Sequence, residues 1–177
     1  MFYNIFMAVL EIKKYPEKIL KQKTSPLKNI DAAVQHLIDD MIETMCAARG
    51  VGLAANQVGA LQKLCVIDLR SKETKMPLIV LINPLIVEKE GVVDAEEACL
   101  SVPGYMTTLK RAEKVLVRGI DREGREIEIE GEGLLARALQ HEIDHLEGIL
   151  FIDRLSPIKR EFFKRRYKKF LLEKNDK

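Results

Sequence analysis

The most constraining feature of this chain is the segment from Gly133 to Glu147, which is apolar on more than one helical face yet carries His141, Glu142, Asp144 and His145. Leu134, Leu135, Ala138, Leu139, Ile143 and Leu146 surround it, so the helix belongs at the centre of a fold, with other elements wrapped around it. Burying that many polar groups is costly without a return. His141 and His145 stand at i and i+4, one above the other on the helix, and both imidazoles can reach one metal ion. Glu142 is about 100° further round. There its carboxylate can take a proton from water beside the metal without being a ligand. The H-E-x-x-H spacing points to a metal-dependent hydrolase.

Such a site needs a third protein ligand and one open position. A metzincin would place a histidine at 151, where this chain has Phe151, and a gluzincin would recruit Glu161 or Glu173 from a strongly basic helix. A zincin-like peptidase is therefore the weaker alternative. Upstream, Cys99 lies in Glu96–Gly104, a short segment ending in a turn, and thiolate is a strong ligand for zinc or ferrous iron. Spacing alone does not bring Cys99 to the helix. Cys46 and Cys65 read as small core residues, and His36 as a solvated one. The small-residue stretch Gly50 to Gly59 would let backbone approach a ligand, with the Gln57 amide facing a developing oxyanion. A plain glycine-rich turn explains the same stretch.

At 177 residues, 47% hydrophobic and 32% charged, the chain reads as one globular domain. A net charge of +2 excludes a general electrostatic grip on nucleic acid, and three cysteines make no disulfide framework, which fits a reducing cytoplasm. Met1 to Leu10 is apolar but too short to span a membrane and lacks signal-peptide features; Met7 is a candidate start, with Met1–Phe6 as an extension.

Asp31 is an N-cap for a helix reaching about Ala48, with Val34, Leu37, Ile38, Met41, Ile42 and Met45 as its buried stripe and Gly50 as its terminator. Strands are expected at Leu64–Leu69, Leu78–Ile82 and Leu85–Glu88, and a hairpin at Val115–Ile120 and Arg125–Glu130. A third helix runs from Ser156 to about Glu173. This mixture indicates an α+β fold: small mixed or antiparallel sheets packed around a central metal-binding helix, with a C-terminal helix.

Three segments, in order, resemble the signature motifs of the peptide deformylases: Gly50-x-Gly52-x-Ala54-Ala55-x-Gln57, Glu97-Ala98-Cys99-Leu100-Ser101, and Gln140-His141-Glu142-Ile143-Asp144-His145-Leu146. Tyr15-Pro16, Asn83-Pro84, Gly133–Arg137 and Leu150–Ser156 are similar to that family as well. The resemblance implies removal of the formyl group from N-terminal formylmethionine of nascent peptides. It implies a metal held by Cys99, His141 and His145, ferrous iron in the cell, with zinc, nickel or cobalt able to substitute. Glu142 would move the proton, and Gln57 and the Leu100 N–H would steady the oxyanion. Val51, Gly52 and the Gly104–Met106 stretch would flank the peptide as an added strand. Ala98 stands where the family usually has glycine. If φ there is positive, alanine is strained by about 1 kcal/mol or more. The chain could then be a catalytically weak, ribosome-associated homologue that keeps its metal. From Ser156 onward, nine Lys and Arg against three Asp and Glu suit docking on ribosomal RNA, as deformylases are thought to do; the simpler reading is a solvated helix with Phe162, Phe163, Tyr167, Phe170 and Leu171 turned inward.

Overall fold

Alternation along two short strands decides how the layers stack. In this computed structural model, which describes residues 8–70 and 76–175, β1 is Gly52–Ala54, β2 Leu64–Ile67 and β3 Ile79–Glu90. Cys65 and Ile67 of β2, with Leu81 of β3, join one core, while Leu64, Val66, Val80 and Ile82 join another. Successive side chains point to opposite faces of a sheet, so both faces are buried and each needs a cover.

The covers are two helices, α1 (Ala32–Ala47) and α2 (Gly133–Leu146). Val34, Ile38, Met41 and Met45 of α1 close one face, and Leu135, Ala138, Leu139, Ile143 and Leu146 of α2 close the other. Five antiparallel strands make the sheet, in the order β1-β2-β3-β6-β7, where β6 is Lys114–Ile120 and β7 Glu126–Glu132. Along β7, Ile127 and Ile129 are half-buried and the intervening glutamates exposed, as alternation predicts. A separate two-stranded sheet is formed by β4 (Val93–Cys99) and β5 (Val102–Arg111). It packs with α3 (Pro157–Asn175) through a third core that includes Val102, Leu109, Phe151, Phe163 and Tyr167. No helix among the described residues is long and apolar enough to cross a membrane.

Several expectations change. Leu78–Ile82 and Leu85–Glu88 are one strand, because Asn83, with φ +53, forms a bulge that Pro84 does not interrupt. The β4–β5 hairpin replaces the expected short segment. Gly50 is not the left-handed residue after α1; Arg49 is, at φ +55, and its N–H and that of Gly50 donate to the Cys46 and Met45 carbonyls. At the end of α2 the same motif carries a glycine, Gly148 at φ +73. Cys46 is exposed rather than core, because it lies one position beyond the Met45 edge of the stripe. Phe162 is exposed too, since Phe163 and Tyr167 take the inward face of α3. Leu134 is half-exposed at the mouth of a cavity. Asp31 caps α1 by accepting from the Val34 N–H at 3.0 Å, and His36 is exposed, both as expected. The proposed extension Met1–Phe6 lies outside the described residues.

Candidate metal centre

Helix α2 delivers two donors because its surroundings leave it no freedom. Its last turn is held by the buried Asn56 amide, which donates to the His145 carbonyl, and by the Thr24 N–H and hydroxyl, both 2.9 Å from the Leu146 carbonyl. These satisfy carbonyls that a helix end otherwise leaves unpaired. On this rigid helix the Nε2 atoms of His141 and His145 lie 3.2 Å apart.

Cys99 arrives at the end of β4, with its Sγ 3.1 Å from His145 Nε2. Donor atoms of Cys99, His141 and His145 all lie within 4.8 Å of one another. Two ring nitrogens and a sulfur directed at one point suit a cation, and the Cys-His-His set matches zinc or ferrous iron. His141 is oriented by Glu97, whose Oε2 lies 2.8 Å from Nδ1, so its Nε2 faces the cluster. Burial opposes ionisation of Glu97, but Arg111 and His141 outweigh it and bring its pKa down to about 2. Arg111, itself 4% exposed, donates to Glu97 at 2.9 Å and to Asp144 at 2.6 Å, and Arg154 closes the network on Asp144. Arg111 was not legible in the sequence: nothing near Lys110-Arg111 distinguishes it from a surface charge.

Glu142 is 4% exposed, and its Oε2 has no partner among the described residues. Burial pushes its carboxyl up to about 7, opposed by His141 and reinforced by Glu97 and Asp144. Such a group sits near the pH where it can both take and return a proton. Gly52 makes room for it: a Cβ there would lie 2.7 Å from Glu142 Cδ. Gln57 is buried, and its Oε1 accepts from the Ala54 N–H at 2.8 Å, so its NH2 must face the other way. That NH2 is 3.5 Å from Cys99 Sγ and 3.1 Å from Ser101 Oγ.

These groups open on a cavity of about 410 Å³, walled by Val51, Ala98, Leu100, Met106, Leu134 and Ala138. Its size suits a small ligand with an apolar side chain. Val51 and Gly52 line it, but Gly104 does not; at φ +76 it lies under Phe170 of α3, whose ring a Cβ would meet at 2.8 Å. Ala98 sits within β4 opposite Met106, and its φ is not in the left-handed region, so its methyl costs no backbone strain. Glu161, the closer gluzincin candidate, instead pairs with Arg165 on α3.

The polypeptide deformylase family profile matches residues 9–161. A peptide deformylase of Thermodesulfovibrio yellowstonii is 59% identical over 162 residues, covering 92% of this chain and 98% of that one. The crystal structure of a peptide deformylase from Legionella pneumophila superimposes with a TM-score of 0.88 at 48% identity, over 96% of this chain and 99% of that one. A second, from Ehrlichia chaffeensis in complex with actinonin, gives 0.85 at 40% identity, over 92% and 98%. Sequence, fold and the convergence of three separated motifs on one cavity agree, and the chain belongs to the polypeptide deformylase family.

Proposed function

We infer that the chain hydrolyses the formyl group from the N-terminal formylmethionine of new polypeptides, releasing formate. The observation carrying this reading is that Glu142 and Gln57 line one cavity with Cys99 and His141 of the three-donor cluster, in a family of deformylases. Cys99, His141 and His145 would hold a divalent metal, which when bound would supply Lewis acidity to activate water. Glu142 takes that water's proton as the oxygen attacks the formyl carbon, and later gives it to the departing amine. Gln57 Nε2–H and the Leu100 N–H donate to the oxyanion. The apolar wall takes the methionine side chain. Val51 and Gly52 flank the peptide as an added strand, supported by the edge position of β1 in its sheet.

Ferrous iron is the metal we propose in the cell; a thiolate on ferrous iron suits a reducing cytoplasm and makes the enzyme oxygen-sensitive. Helix α3 is proposed to dock on the ribosome, since Ile158, Phe162 and Leu172 are exposed among its basic residues. Binding to ribosomes that is absent or insensitive to salt would refute the docking. The catalytic reading is tested by anaerobic purification, metal analysis and formate release from formyl-Met-Ala. Wild type should turn over and Glu142→Ala should not; equal rates would overturn the mechanism.

A further inference from the structure

The segment Lys13–Tyr15, ahead of the turn Lys18–Lys21, ties two of the motifs together. The Lys13 N–H donates to the Gln57 carbonyl at 2.7 Å, and the Tyr15 N–H to the Ser101 carbonyl at 2.8 Å. Between them, the half-buried Lys14 sends its ammonium 2.6 Å from the Leu100 carbonyl oxygen. That carbonyl shares a peptide unit with the Ser101 N–H, which points at Cys99 Sγ, 3.4 Å away. One peptide therefore carries a cation on its oxygen and a metal-ligand sulfur at its N–H. A charge-assisted bond on the oxygen draws electron density from the amide and makes its N–H a better donor. An N–H directed at a thiolate steadies the negative charge and sets how strongly the sulfur binds metal. The same bond fixes the carbonyl of Leu100 in the tight connection from Cys99 to Val102, where the register of the hairpin shifts.

We propose that Lys14 is a positioning residue of this site, acting through the Leu100–Ser101 peptide on the Cys99 sulfur and on the orientation of Leu100. Its effect on metal binding stands on geometry alone; its effect on turnover rests on the deformylase reading.

The test uses the full chain loaded with cobalt(II), comparing wild type with Lys14→Met, Lys14→Arg and Lys18→Met. The last removes the same charge from an exposed position in the turn Lys18–Lys21. Three quantities are read: the sulfur-to-cobalt charge-transfer band, the rate of cobalt release into EDTA, and kcat and KM for formyl-Met-Ala. Lys14→Met should move the band, speed cobalt release about 10-fold, and lower kcat more than it raises KM. Lys14→Arg should restore both metal readouts, and Lys18→Met should match wild type. A wild-type band and release rate in Lys14→Met would overturn the proposal, even if its melting temperature falls. So would Lys14→Arg behaving as badly as Lys14→Met, because positive charge would then not be the cause. Absence of formate release by wild type, with a shifted band in Lys14→Met, would refute the deformylase reading and leave this one standing.

Discussion

Gly52→Ala should disable the enzyme by moving one carboxylate. The φ of Gly52 is not in the left-handed region, so alanine accepts the backbone without strain. Its methyl, however, would sit 2.7 Å from Glu142 Cδ and 2.9 Å from Cγ, where ordinary contact begins at 3.4 Å. β1 is pinned by its pairing with β2, so the side chain of Glu142 must yield. It must shift by about 1 Å, and a misplacement of that size costs on the order of 100-fold in rate. The assay is a double-mutant cycle on formate release with Gly52→Ala, Glu142→Ala and the pair. The first should lower kcat with metal content unchanged. In the pair, the methyl should cost little beyond Glu142→Ala, because there is no carboxylate left to displace. Wild-type kcat in Gly52→Ala, or losses that add in full, would refute the argument; the second result would mean that the methyl obstructs substrate instead.

The depressed pKa of Glu97 makes the metal-free fold sensitive to acid. Its stabilisation is present above the unfolded value of 4.5 and lost as pH falls towards about 2. It amounts to something on the order of 3 kcal/mol; urea melts across that window should show the loss in wild type and a flatter profile in Glu97→Gln. Arg111→Met removes the cation shared by the buried Glu97 and Asp144, leaving, among the described residues, His141 beside Glu97 and Arg154 beside Asp144. It should cost about 3–5 kcal/mol in the same melts and weaken metal retention, since Glu97 orients His141. Gly148→Ala meets both a φ of +73 and the Lys21 carbonyl oxygen at 2.5 Å. Thermal unfolding should show at least about 1–2 kcal/mol of destabilisation, with the loss concentrated at the end of α2.

Helix α2 was legible because a 3.6-residue apolar pattern and an i, i+4 histidine pair are both local signals. Asp31, Ile127 and Ile129 were legible for the same reason. What escaped depends on contacts distant in sequence. The β4–β5 hairpin carries Asp94, Glu96, Glu97, Pro103 and Gly104, residues that discourage a strand assignment, and is held instead by its aromatic packing against α3. Asn83-Pro84 reads as a break in the sequence, and a bulge absorbs it. Arg49 takes the left-handed position expected of Gly50. A Cβ at Gly50 would meet Leu100 Cδ1 at 2.7 Å, so that glycine serves close packing instead. Cys99 could be named as a ligand from its chemistry and its family resemblance, but its approach to His145 across 46 residues is a property of the fold.

The separateness of the two sheets has a consequence for breathing motions. Among the described residues β4 and β5 pair only with each other, while α2 is packed on the five-stranded sheet. Two of the three proposed metal donors thus sit on the five-stranded sheet's helix and the third on the hairpin, joined to it by the Arg111–Asp144 and Glu97–His141 contacts, and local opening of the hairpin would separate them. A metal bound across that seam is a crosslink. It adds its binding free energy to the opening cost of the hairpin and nothing to openings confined to the sheet. Amide exchange in β4 and β5 should therefore report metal occupancy directly, with β2 and β3 as the built-in reference.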